Sequence, residues 1–114
     1  MKKSLVGACA LALVGAFQAG AAVQAQETGM ASIHTWVKIG RKTCLVDHFH
    51  NGDGTGTTRL QAERAAIAAW TEFTAWEYGD PWGRYSLAVS RKMTCSRDGS
   101  NWSCALEARP CRPY

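Results

Sequence analysis

The chain has 114 residues, a formal net charge of +4 and five cysteines. That length holds one small domain with a limited core. The mild charge excludes a polyelectrolyte, and two of its positive charges, Lys2 and Lys3, fall in the first three residues, so the balance does not call for a nucleic-acid partner.

Lys2 and Lys3 are followed by an apolar run from Leu5 to Phe17, then by Val23-Gln24-Ala25, which puts small residues at −3 and −1 of a cleavage site. This pattern predicts a secretory signal over residues 1–25 and a single domain over 26–114, periplasmic or secreted. The run is short for a membrane span and no second run follows it. Cys9 stands after Val6-Gly7-Ala8 like a faint lipobox, but most of the apolar run lies beyond the point where a lipoprotein signal is cut. In the remaining domain, residues 59–80 carry an acidic excess and residues 81–114 a basic one, a division that reads as ordinary solvated faces.

Residues 26–30 read as a frayed start, and Ile33 to Ile39, β-branched and aromatic, as a strand. Gly40-Arg41-Lys42 makes a turn and Cys44 to Phe49 a second strand. "DHFHNGDGTGTTR", residues 47–59, reads as a strand end, a glycine-rich turn and a helix cap. Thr58 to Tyr78 is helical: Thr58 with Gln61 three residues on gives a capping-box pattern, six alanines favour helix, and Gly79 with Pro81 ends it. At 100° per residue Ala62, Ala66, Ala69, Phe73 and Trp76 share a stripe with Trp70 at its edge. Leu60, Ile67 and Tyr78 form a second stripe, which the N-terminal segment is expected to cover. Gly83 to Ser90 reads as extended, Arg91 to Arg97 as a strand, Asp98-Gly99-Ser100-Asn101 as a turn, and Trp102 to Arg109 as the returning strand. The expected fold is α+β, one long helix packed on a small antiparallel sheet.

Four cysteines remain after the signal, an even number that in a short exported chain points to a disulfide framework. Three pairings are open. The Asp98–Asn101 turn sets Cys95 opposite Cys104 and Arg97 opposite Trp102, which favours Cys95–Cys104 and leaves Cys44–Cys111.

The second half resembles small, uncharacterised exported proteins of Gram-negative bacteria. Ala65 to Trp70, Tyr78-Gly79, Ala88, Cys95, Cys104 and Pro110-Cys111 carry the resemblance over about the last 50 residues. It implies a small exported domain and transfers no activity. The order of a helix followed by strands is also similar to the first part of a double-stranded-RNA-binding domain, but the second, basic helix of that fold has no counterpart after Cys111.

Chemistry-bearing patterns are few. Gly52-Asp53-Gly54-Thr55-Gly56 lacks the lysine of a phosphate loop, and Asp53 would repel phosphate. Asn51, Asp53, Thr55 and Gly56 imitate the start of a calcium loop, but Ala62 stands where the bidentate glutamate is needed. His48 and His50, two apart on a strand, face the same side and could meet one zinc or copper ion, completed by His34 or Asp53. No serine has a nucleophile motif around it, and Glu72 and Glu77 diverge on the helix. In "GDPWGRYS", Trp82 and Tyr85 with Arg84 between them are expected to stand exposed as a ligand surface for a protein, peptide or envelope glycan. The sequence thus points first to a non-enzymatic, cofactor-free, disulfide-stabilised exported binding module, monomeric or a weak homodimer, and second to a small metal-binding protein built on His48, His50 and His34.

Overall fold

The computed structural model describes residues 29–114, so the expected signal over 1–25 lies outside the described residues. The fold is α+β. A short helical turn α1 (Gly29–Ser32) leads to β1 (Trp36–Ile39) and β2 (Lys42–Leu45), then to β3 (His50–Gly56) and the long helix α2 (Arg59–Tyr78). Two 3-10 turns, Asp80–Trp82 and Tyr85–Leu87, precede β4 (Val89–Asp98), β5 (Asn101–Arg109) and β6 (Cys111–Pro113). The strands form two antiparallel three-stranded sheets, in the orders β1-β2-β6 and β3-β5-β4. The described residues contain no helix long and apolar enough to cross a membrane.

The stretch expected to be a glycine-rich turn is instead a strand, and its glycines are the reason it packs where it does. β3 alternates strictly: His50, Gly52 and Gly54 are buried against α2 while Asn51, Asp53 and Thr55 point to solvent. A Cβ on Gly54 would stand against the backbone of Ala62 and Ala66, and one on Gly52 against the backbone of Ala66 and Trp70. Only hydrogen fits there. The alternation read as loop chemistry is a two-residue period in which the inward residues have no side chain.

Facing this strand, α2 buries Ala62, Ala66, Trp70, Thr74 and Tyr78, every fourth residue. An i+4 row runs oblique to the helix axis, so a helix that crosses its sheet at an angle buries such a row rather than a straight stripe. The expected stripe therefore holds at Ala62 and Ala66 and fails at its far end, where Phe73 is 47% and Trp76 77% exposed. The helix start follows expectation in part. Thr58 Oγ1 accepts the Gln61 amide at 3.1 Å, but the Gln61 side chain reaches back to the Thr57 amide rather than to that of Thr58. Gly79, at φ 102°, donates to the Ala75 carbonyl and ends the helix.

Two cores lie along this one helix. The first joins Ala62, Ala66 and Trp70 to Ala88, Cys104, Leu106 and Ala108, with the Trp70 indole donating to the Ala108 carbonyl at 3.2 Å. The second, at the C-terminal end, joins Ala31, Leu45, Tyr78 and Trp82. The N-terminal segment thus covers Tyr78 as expected, leaving Leu60 exposed and Ile67 packed on the first core. The turn chemistry of residues 98–101 sets Cys95 opposite Cys104 and Arg97 opposite Trp102, and β2–β6 pairing sets Cys44 opposite Cys111. Both pairs are disulfide-bonded, as the register argument predicts. Elsewhere the boundaries shift: β1 begins three residues late, β2 ends at Leu45 instead of Phe49, and the expected extended run 83–90 is interrupted by the 3-10 turn Tyr85–Leu87 before β4 begins at Val89.

Two stability predictions follow from this packing. Gly54→Ala forces its methyl group into helix backbone that cannot move aside, and urea titration should show a loss of about 3 kcal/mol or more, against no more than ~0.5 kcal/mol for Gly29→Ala, which has open space around it. On chain entropy, Cys44–Cys111, closing 67 residues, stabilises more than Cys95–Cys104, closing 9. Removing the long bridge should cost about 4 kcal/mol and removing the short one about 3 kcal/mol.

Candidate functional site

At the C-terminal end of α2 the chain brings together the three histidines that the sequence singles out. His50, first residue of β3, is 2% exposed and lies under the helix. His48 sits just before the strand, its ring centroid 5.1 Å from that of His50. His34, between α1 and β1, stands 4.5 Å from the His48 ring. The expectation that His48 and His50 share a face as strand neighbours reaches the right outcome by another route, since residues 46–49 are not strand.

The helix supplies what the sequence reading missed. Glu77, considered there only as a partner for Glu72, puts Oε2 2.8 Å from His50 Nε2. Thr74 Oγ1 lies 3.0 Å from His50 Nδ1. The Tyr78 hydroxyl lies 3.1 Å from His50 Nε2 and 3.3 Å from His34 Nε2. The available signal was polar residues spaced by four, Thr74 and Tyr78, continuing the buried row of Ala62, Ala66 and Trp70. Phe73 stacks on the outer face of the His50 ring at 4.8 Å and 28°, walling that side. Asp53, offered as a further ligand, points to the opposite face of β3 and takes no part.

The partners assign the His50 tautomer. A carboxylate can only accept, so His50 carries its proton on Nε2 and donates to Glu77, and the Thr74 hydroxyl donates to the bare Nδ1. The Tyr78 hydroxyl bridges His50 Nε2 and His34 Nε2. Burial first, and then the neighbouring His48 and His34, push the His50 pKa down to about 4. His48 is lowered as well, by burial and by His34, against a smaller upward pull from Glu77. Burial holds the Tyr78 phenol above its ordinary range, and the Glu77 carboxylate adds to the effect. His48 and His50 are therefore favoured as neutral imidazoles, the form that has a lone pair for a metal. One donor atom each from His48, His50 and Glu77 lie within 4.8 Å of one another, a span that an ion can close.

The second group of candidates separates. Trp82 is fully buried rather than exposed, packed 5.5 Å from the Trp36 ring and 6.3 Å from Tyr78, with the Arg112 guanidinium over its face. Tyr85 is half-buried against Trp70 at 5.8 Å, and the cation over its ring is Arg91, not Arg84. Arg84 alone is exposed. The 3-10 turn around Pro81 folds Trp82 back under the helix end, against the expectation that Trp82 stands exposed just past the helix. No protein-family model matches the chain, nor does any curated protein or solved structure.

A pH dependence follows from the buried imidazole. The unfolded chain takes up this proton near 6.5 and the folded one only near 4, so the stabilisation from neutral His50 is full above 6.5 and is lost as pH falls towards 4. Between pH 7 and pH 4, wild type should lose on the order of 2 kcal/mol more than His50→Gln in urea titrations, allowing for screening at the open side of the cluster. Equal pH profiles for the two proteins would refute the assignment.

Proposed function

We propose that the protein is an exported, non-enzymatic metal-binding protein that holds one transition-metal ion between β3 and the end of α2. The observation that carries this is the convergence of His48, His50 and Glu77, from two different elements, with donor atoms inside 4.8 Å. Two imidazoles and a carboxylate are a donor set shared by zinc and iron centres. Thr74 supports the reading from behind: when Nε2 of His50 takes an ion, its proton moves to Nδ1, where the Thr74 hydroxyl turns to accept it. Export to the periplasm or beyond is supported by the two disulfides and by the leader pattern of residues 1–25. The alternative of a macromolecular ligand at Trp82, Arg84 and Tyr85 loses its supporting observation, because Trp82 belongs to the core.

Equilibrium dialysis of the oxidised protein against zinc(II) or copper(II) should retain one ion per chain. Glu77→Gln and His48→Ala should each weaken binding by roughly 10- to 100-fold while both disulfides stay formed. Protein that retains no ion, or variants that bind as wild type does, would set the proposal aside.

A further inference from the structure

We infer that the loaded centre takes one small monoanion from solution as its fourth ligand, and that the Tyr78 hydroxyl holds this anion by a hydrogen bond. The inference rests on the metal reading above and deepens it, because it names what the ion binds in turn. Among the described residues only His48, His50 and Glu77 bring donor atoms within 4.8 Å of one another. Closed, structural zinc sites are filled by four protein donors, whereas three leave a position for a ligand from outside. Two neutral imidazoles and one carboxylate also leave a divalent ion with one uncompensated positive charge. His50 is 2% and Glu77 19% exposed, so that charge is poorly solvated, and a monoanion neutralises it where water does not.

Tyr78 supplies the recognition. The residue is fully buried, and its hydroxyl lies 3.1 Å from His50 Nε2, the nitrogen that takes the ion, and 3.3 Å from His34 Nε2. Once the ion occupies His50 Nε2, that nitrogen has neither a proton to donate nor a lone pair to accept with, and the hydroxyl loses a partner. A buried hydroxyl left short of partners is costly, and an anion on the ion restores one. His34 stands outside the ligand set and can donate its Nε2 proton to the phenolic oxygen, which leaves the Tyr78 O–H for the anion. Tyr78 stays protonated throughout. The anion displaces water from the ion, so one bond to the metal replaces another and no electron moves.

The test uses the oxidised protein loaded with cobalt(II) sulfate, a visibly absorbing stand-in for zinc(II), and then titrated with sodium azide. The expected result is one cobalt per chain and a saturable shift of its visible bands, with one azide bound per ion. Tyr78→Phe should keep one cobalt per chain and bind azide roughly tenfold more weakly, the loss of one hydrogen bond to a charged group. Cobalt retained with a spectrum that azide does not change would overturn the inference and leave the metal reading standing. Unchanged azide affinity in Tyr78→Phe would do the same. A chain that retains neither cobalt(II) nor zinc(II) would remove both. Because Tyr78 is buried, the infrared spectrum of azide on zinc-loaded wild type provides a readout that needs no variant. An azide stretch displaced from that of the free ion, and moved again by exchange into heavy water, supports the inference. A stretch at the free position, or one insensitive to heavy water, overturns it.

Discussion

The structure depends on how closely one strand approaches one helix. Gly52 and Gly54 remove every obstacle between β3 and α2, so the strand backbone lies directly on the turns carrying Ala62, Ala66 and Trp70. Glycine weakens a strand by its lost entropy and its lack of packing surface, typically by ~0.5–1 kcal/mol in each place. Here the deficit is offset by the helix, whose alanines and tryptophan fill the space, and by β5, which pairs with β3 along its whole length. The two disulfides lie one within each sheet, joining β2 to β6 and β5 to β4.

The same approach builds the candidate site. With small residues on both sides, strand and helix stay close until His50, where the helix row changes from alanine and tryptophan to Thr74 and Tyr78. A buried imidazole needs partners for both of its nitrogens, and these residues with Glu77 provide them. Burial, and then the neighbouring histidines, make protonation of His50 and His48 unfavourable, so these two rings offer lone pairs instead of positive charge. An ion there would replace a hydrogen-bond network without rebuilding the backbone, because the donors already converge.

Much of the fold was legible in the sequence where local chemistry decides it. Thr58, Gly79 and Pro81 mark the helix, and Asp98-Gly99-Ser100-Asn101 sets a register that places Cys95 against Cys104. What escaped was decided by contacts distant along the chain. A glycine every second residue looks like a turn until a helix is known to lie on it. Phe73 and Trp76 look like core at 100° per residue, and are exposed because the helix buries the i+4 row Ala62, Ala66, Trp70, Thr74 and Tyr78 instead. His48 and His50 were recognisable as a pair, whereas Glu77 and Tyr78 were not, because their relation to the histidines exists only after β3 docks. Trp82 failed in the opposite sense, since a short aromatic loop gives no local sign of folding inward.

The most direct test of this account is the protonation pattern of the histidine side chains, read by long-range nitrogen–proton NMR on labelled protein with and without diamagnetic zinc(II). The account requires His50 to carry its proton on Nε2 in the metal-free protein, bonded to Glu77, and on Nδ1 once the ion occupies Nε2, with His48 shifting in the same titration. A His50 that keeps its Nε2 proton as zinc is added would contradict it, and would leave the cluster as a buried hydrogen-bond network that fastens β3 to the helix and nothing more.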